Sequence, residues 1–151
     1  MNKYIYLLFA VVLLLGLSSC AVLLTTPKVS KGADISQYKY VVYNAEYNGD
    51  TSVLEDILPI VQNVLSKRLK TISSSEAQSL SGEGENILTP RIDIKSTNSK
   101  YSNVYITIGL YDLNSNHLVA SVKSKGVGLF YSKDNKIHYS GIKTQLNRIF
   151  K

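Results

Sequence analysis

Few side chains in this 151-residue sequence have the type and spacing that acid–base or metal chemistry requires. The two histidines, His117 and His138, have no cysteine, carboxylate or second histidine at the spacing of metal ligands. We therefore expect two exposed or half-exposed imidazoles at the edges of strands or turns, with no metal site and no cofactor.

Two pairs of carboxylates could hydrolyse a glycosidic bond, a reaction that needs one acid and one base or nucleophile. Glu83 and Glu85 form one pair, and Asp93 with Asp112 forms the other. The first pair lies in a small, polar stretch typical of a loop, and Asp93 alternates with apolar residues of a strand. All four are expected to be solvated charges, so the sequence predicts no catalytic residue.

Tyrosine is the main aromatic residue, with 11 Tyr, three Phe and no Trp. Tyr105 and Tyr111 should project from the face opposite the apolar residues of segment 104–110, because side chains alternate along a strand. That face could contact a partner or a sugar, or it could pack under a helix. The sequence leaves both interpretations open, and these two residues mark the candidate partner surface.

The N-terminus has the layout of a secretory signal peptide. Lys3 supplies a positive charge, residues 5–17 are almost all apolar, and Leu17-Ser18-Ser19-Cys20 places small residues before the only cysteine. These four residues resemble the lipobox of bacterial lipoproteins. The resemblance implies a diacylglycerol on the Cys20 sulfur, cleavage before Cys20, and an acyl chain such as palmitate on its amino group. The alternative is that residues 5–24 span the bilayer as an uncleaved helix.

The residues after Cys20 bear on the location of the protein. Ala21 implies the outer membrane by the sorting logic of enteric bacteria, and no acidic export signal follows. We expect the lipid-anchored chain to face the periplasm, with exposure on the cell surface as the alternative. The expected organisation is a signal peptide (1–19), a lipidated tether (20–36) and one domain (37–151).

The charge of the chain bears on its partners. From Cys20 onward there are 16 Lys and Arg against 11 acidic residues, a net charge of +5. These cations occur singly, whereas nucleic-acid-binding proteins cluster them on one face, so we expect no nucleic-acid partner. A weak attraction to anionic lipid head groups or acidic glycans fits the charge.

The first half of the domain carries one strong helix pattern. Residues 38–45 (YKYVVYNA) predict a strand, and Asn48-Gly49-Asp50 predicts a turn. Apolar residues then recur at three- and four-residue steps over 53–69, which indicates an amphipathic helix that Pro59 should kink or split. Residues 71–86 predict a loop with at most a short helical turn.

The second half carries strand patterns. Ile92 and Ile94 mark a second strand, and residues 104–111 a third. After a hairpin turn at 112–116, a strand returns from Leu118 toward Phe130. A polar turn at 133–135 precedes a C-terminal helix marked by residues 142–150.

This order predicts an α+β domain. We expect a sheet of four to five strands, antiparallel or mixed, with the amphipathic helix and the C-terminal helix packed on one face. The other face would be wet or available to a partner.

The lipobox, the YKYVVYN strand, helix 53–69 and the hairpin VYITIGLYDLNSNHLVASV together resemble small envelope lipoproteins of the curli-assembly and Tol-accessory type. The likeness covers residues 38–130 and concerns architecture. It implies a periplasmic adaptor or assembly factor that binds an envelope protein and has no catalytic residues.

Three functions follow as hypotheses. A non-catalytic adaptor predicts a flat or grooved surface that bears tyrosines. An envelope hydrolase predicts a cleft that holds His117 or His138 against a carboxylate, and a lipid or small-ligand carrier predicts an enclosed apolar cavity.

Overall fold

The computed structural model describes residues 23–24, 26–97, 102–128 and 131–151. The predicted signal peptide, Cys20 and the predicted strand end at Phe130 lie outside these residues. The described elements are β1 (Leu23–Leu24), β2 (Lys28–Val29), a 3-10 helix (Ile35–Gln37), β3 (Tyr40–Val42), β4 (Glu46–Gly49), α1 (Thr51–Ser66), β5 (Lys70–Ile72), α2 (Ser74–Gly82), β6 (Ile87–Thr97), β7 (Ser102–Asp112), β8 (Leu118–Gly128) and α3 (Tyr131–Ile149).

One mixed sheet contains all the strands, in the order β1-β8-β7-β6-β3-β5, with β2 also beside β8 and β4 also beside β6. The long strands β6, β7 and β8 are antiparallel, whereas β3 and β4 run parallel to β6. The α+β class is confirmed. The described sheet has eight strand segments rather than four to five. The chain beside β8 forms two short strands, β1 and β2, and the chain beside β6 forms two more, β3 and β4.

The break between β3 and β4 follows from the register. Val41 pairs with Leu88 and Glu46 pairs with Arg91, so residues 42–45 stand opposite only 89–90. Pro90 lies in this gap and has no N–H to donate to a neighbouring strand. The predicted first strand (38–45) therefore ends early.

The helices α1 and α3 pack side by side on one face of the sheet, as predicted. The apolar stripe of α1 is buried, with Ile57 and Val61 fully inside, and Leu146 of α3 joins the same core. The Tyr139 hydroxyl also donates a 2.8 Å hydrogen bond to Asp56, which links the two helices. Helix α1 contains Pro59 and is one element over its whole length, so the proline does not split it.

Residues 71–86 form more structure than predicted. They include most of β5 and the nine-residue helix α2, which begins with a capping box. The Ser73 side chain accepts from the Glu76 N–H, and the Glu76 carboxylate accepts from the Ser73 N–H. On the sheet face opposite α1 and α3, α2 packs Ala77 and Leu80 in a small apolar cluster with Val42, Ile72 and Ile87.

Two predicted turns are wrong. Asn48 and Gly49 belong to β4, where Gly49 has a φ of 112° and a Cβ would overlap the carbonyl of Ile94. Close parallel pairing with β6 therefore overrides the turn preference of Asn-Gly. Residues 133–135 lie in α3, which also carries His138, because the helix begins well before the apolar positions that predicted it.

The hairpin turn at 112–116 is confirmed. The Asp112 N–H donates to the His117 carbonyl at 2.9 Å, and Asn116 adopts a left-handed conformation with a φ of 57°. Asparagine tolerates that conformation better than most residues.

Candidate functional site

The candidate site is the face of β6, β7 and β8 opposite α1 and α3, which we name the open face. Side chains on it alternate along all three strands with those that face α1 and α3. Helix α2 covers the other end of this side of the sheet, over β3, β5 and the start of β6. The open face comprises Arg91, Asp93, Lys95, Tyr105, Thr107, Gly109, Tyr111, Ser121, Lys123 and Lys125.

Both predicted surface tyrosines, Tyr105 and Tyr111, lie on the open face. Tyr105 is 36% exposed, whereas the residues that alternate with it in β7 are buried. Among the described residues, no helix packs over this part of β7. In the described part of the chain these tyrosines therefore do not pack under a helix, and the partner or sugar interpretation stays a prediction.

The open face is positively charged. It holds four cations and one carboxylate, and the neighbouring strands add one residue of each sign, Lys28 of β2 and Glu46 of β4. Cations that are scattered along the sequence thus gather on one face, because β6 and β8 each place them at alternate positions. A face of this charge attracts anions.

Arg91 is held by three other elements of the fold. Its Nε lies 2.7 Å from a Glu46 carboxylate oxygen, and its Nη2 donates a 2.6 Å hydrogen bond to Asn116. Its guanidinium stacks 4.3 Å from the centre of the Tyr111 ring. The arginine and the ring therefore form a cation–π pair that Glu46 and Asn116 hold in place.

A second pair of this kind lies further along the same strands. The Lys125 ammonium is 5.3 Å from the centre of the Tyr105 ring. Lys95 and Lys125 are the cross-strand neighbours of Tyr105 on its two sides. One row across the sheet therefore has the order lysine, tyrosine, lysine.

Between these pairs lies a groove of about 410 Å³. Its floor is Gly109, where a Cβ would come within 2.6 Å of the Tyr111 ring, so the ring folds over the glycine. The rest of the lining is mixed: Val29 and Leu118 are apolar, whereas Ser30, Thr107 and Ser121 supply hydroxyls and Lys28 and Lys123 supply ammonium groups. The groove was not predicted, because its only local sign in the sequence is a glycine inside a well-patterned strand.

The structure also brings His117 and Asp112 to one pocket of about 390 Å³, as the hydrolase hypothesis requires. However, Asp112 is only 8% exposed and its carboxylate already accepts from the Ser115 N–H (2.6 Å), the Ser115 hydroxyl (2.7 Å) and Tyr38 (3.1 Å). Burial raises the pKa of Asp112, but these hydrogen bonds outweigh it and lower the pKa overall. An ionised, fully engaged carboxylate is suited to holding the turn.

The other sequence candidates do not converge. Glu83 caps the C-terminal end of α2, and Glu85 lies 3.8 Å from the Lys39 ammonium. Asp93 stands opposite Thr107, several residues along β7 from Asp112. Neither carboxylate pair faces a common cleft, so the expectation of solvated charges holds for Glu83 and Glu85 but not for the buried Asp112.

An apolar groove of about 280 Å³ lies between α1 and the edge formed by β3 and β5. Val41, Pro59 and Leu65 line it, and the 55% exposed Tyr43 lies at its edge. It is open to solvent along one side, unlike the enclosed cavity that a carrier predicts.

Within the described part of the chain, no group of three or more His, Cys, Asp or Glu side chains could hold a metal ion. Across those same ranges, no helix combines the length and the apolar character needed to cross a membrane.

Solved structures of PelC resemble this chain in fold. The structure of a point variant of the PelC dodecamer from Paraburkholderia phytofirmans matches with a TM-score of 0.50 and 14% identity, covering 87% of this chain and 98% of PelC. A second structure of the same dodecamer gives a TM-score of 0.48 and 15% identity over 87% and 97% of the two chains. At these identities the likeness concerns the fold alone. No protein-family model matches this chain, and no curated protein matches it either.

Proposed function

We propose that this protein is a lipid-anchored envelope component that binds another envelope component on its open face and does no catalysis itself. Acylated Cys20 would hold it in the outer membrane, facing the periplasm. The lipobox-like LSSC sequence after an apolar segment supports the anchor.

The observation that carries this proposal is the open face itself. Helices cover one side of the long strands, while the other side presents two cation–tyrosine pairs around a groove. Tyrosine and arginine are enriched at the energetic centres of protein interfaces. Arg91 is already fixed by Glu46 and Asn116, so little side-chain entropy would be lost when a partner binds there.

The proposed partner is a protein of the envelope. The PelC structures that share the fold are dodecamers. A second copy of this chain is therefore one partner that a binding experiment should be able to detect.

A pull-down of the lipidated full chain from its native envelope, read by mass spectrometry, tests the proposal. The informative variant is Lys123→Glu, which reverses a charge at the groove. Its matched control is Lys67→Glu, which makes the same change at an exposed position just after α1. A Cys20→Ala variant serves as the unanchored control.

We expect a stoichiometric envelope protein with the wild type and with Lys67→Glu, and a reduced yield with Lys123→Glu and Cys20→Ala. Equal recovery with both lysine variants would place the partner elsewhere on the molecule. Recovery of the chain alone, as a monomer in analytical ultracentrifugation, would count against the adaptor function. A wild-type mass that shows no acyl chains on Cys20 would refute the lipid anchor.

The apolar groove beside α1 gives a second candidate function, that of a lipid or small-ligand carrier. The groove is walled by Val41, Pro59 and Leu65 and could hold part of one acyl chain. Native mass spectrometry of the purified protein tests this function. A non-covalent lipid adduct that substitution of the half-buried groove residue Gln62→Trp abolishes would support it, and an adduct-free spectrum would refute it.

A further inference from the structure

We propose that one end of the open face, the row Lys95–Tyr105–Lys125, contacts anionic lipid head groups, so that the turn between β7 and β8 points away from the membrane. We name this row the anchor row. The inference rests on the proposed function at one point, the acylation of Cys20.

The first step is the length of chain between the lipid and the sheet. Leu23 is the third residue after Cys20 and already pairs with Lys125 of β8. Three extended residues span at most about 11 Å. The acylated cysteine would therefore hold this point of the sheet close to the bilayer surface.

The second step is the register, which places the anchor row at that same point. Leu23 pairs with Lys125, Lys125 with Tyr105, and Tyr105 with Lys95. Neighbouring strands lie about 4.8 Å apart, so Tyr105 is about 10 Å from Leu23. The whole row is within reach of the head-group layer.

The third step is the direction of the chain after the anchor. Leu24 pairs with Ser124, whereas Lys28 and Val29 pair with Ser121 and Ala120. The chain thus runs along the edge of β8, away from the anchor row and toward the β7–β8 turn. The turn is therefore the part of the sheet farthest from the membrane. The Gly109 groove lies about 14 Å from Tyr105 along β7, toward that turn, since a strand rises about 3.4 Å per residue.

The chemistry of the anchor row selects anionic lipid. Two lysines flank the tyrosine and no carboxylate shares the row; the acid of β6 on this face, Asp93, stands in the next row, opposite Thr107. Lysine near a membrane is drawn to anionic head groups, and tyrosine favours the interface between lipid and water. Tyr105 is 36% exposed and the Lys125 ammonium lies over its ring, so both groups can reach the interface between lipid and water. The groove remains available to the protein partner.

The sequence contains no tryptophan, so single-tryptophan variants report position without background. Tyr105→Trp reports the anchor row. Leu118→Trp is the matched control, because Leu118 is 39% exposed at the distal end of β8 and lies opposite Tyr111. Each lipidated full-length variant is reconstituted in vesicles of phosphatidylcholine and phosphatidylglycerol that carry a quencher at the head groups.

We expect the fluorescence of Tyr105→Trp to be quenched and blue-shifted, and that of Leu118→Trp to be unchanged. Adding Lys95→Glu and Lys125→Glu to the Tyr105→Trp variant should reduce the quenching, whereas adding Lys67→Glu should not. Replacing phosphatidylglycerol with phosphatidylcholine should reduce it as well.

Equal or stronger quenching of Leu118→Trp in protein that floats with the vesicles would overturn the orientation and leave the proposed function intact. Protein that carries no acyl mass on Cys20 and does not float would overturn both. Quenching that ignores the charge changes would overturn the role of anionic lipid. A Tyr105→Trp signal that responds to soluble polygalacturonate but not to vesicles would assign the row to an acidic glycan instead.

Discussion

The Tyr38 hydroxyl donates a 3.1 Å hydrogen bond to the Asp112 carboxylate, across 74 residues of sequence. Both residues are buried, and Asp112 closes the turn between β7 and β8. The bond therefore joins the segment before β3 to the tip of the hairpin that presents the open face.

The contribution of this bond to stability can be measured directly. We expect Tyr38→Phe to lower the free energy of unfolding by about 1 kcal/mol, because it removes one buried hydrogen bond and leaves the other partners of Asp112 in place. Urea denaturation gives the difference, with the exposed Tyr43→Phe as a control that should be near neutral. A Tyr38→Phe protein as stable as the wild type would mean that water replaces the hydroxyl without loss.

The same carboxylate predicts a dependence of stability on pH. Hydrogen bonds from Ser115 and Tyr38 overcome burial and lower the pKa of Asp112 in the folded state. A lowered pKa means that the stabilisation is present above the pKa of the unfolded carboxyl, about 3.9, and is lost as the pH falls through the folded pKa.

Comparison of wild type with Asp112→Asn isolates this effect. Serine hydrogen bonds also lower the pKa of Asp34 and Glu76, so the acid response of the wild type reflects all three carboxylates. We expect the gap in unfolding free energy between the two proteins to narrow as the pH falls below about 4. A gap that is independent of pH would mean that Asp112 titrates alike in both states.

The capping box of α2 is a third target. Ser73→Ala should cost about 1 kcal/mol of stability, the usual effect of losing an N-cap hydroxyl. Ser74→Ala, one position later on the exposed side of the helix, should cost much less. Thermal unfolding of the two variants checks this, and equal melting temperatures would contradict it.

Gly49 predicts the largest backbone effect. Gly49 has a φ of 112°, and the Ile94 carbonyl lies where a Cβ would be. Gly49→Ala should therefore destabilise the protein by about 2 kcal/mol or more. Gly82→Ala is the matched control, because nothing lies within 4 Å of its Cβ position and its φ is not positive. That variant should be neutral or slightly more stable.

The helix α1 and the hairpin of β7 and β8 could be predicted from the sequence because their apolar periodicity is long. The stripe that begins at Val53 and the alternation from Val104 to Leu110 each extend over many residues, and each is buried as expected. These apolar patterns are visible within each segment, so each element could be predicted without knowing which other elements pack against it.

The short strands β1, β2, β4 and β5 could not be predicted in this way. Each has only two to four residues, too few for an alternation. β1, β2 and β4 exist because a long strand pairs with them, and β5 because it pairs with β3. Helix α2 was missed for a related reason, since it packs little more than Ala77 and Leu80 and its clearest signal is the Ser73–Glu76 cap.

For the open face, alternation predicted the direction of Tyr105 and Tyr111 but not the groove between them. Arg91 contacts Glu46 of β4, Tyr111 of β7 and Asn116 of the turn. Such a convergence depends on the parallel pairing of β4 with β6. The sequence predicts a turn at the end of β4, so this pairing could not be foreseen.

The groove gives the last prediction. Gly109→Ala should leave the fold nearly as stable, because the φ of Gly109 is not positive and the nearest atom, 2.6 Å from the new methyl group, belongs to the Tyr111 ring and not to the backbone. The ring must swing away, which fills the groove and separates the ring from Arg91. We expect recovery of the envelope partner to fall with Gly109→Ala but not with Tyr111→Phe, which keeps the ring and its stacking. Undiminished recovery with Gly109→Ala, measured by quantitative mass spectrometry on protein of unchanged melting temperature, would remove the groove from the binding surface.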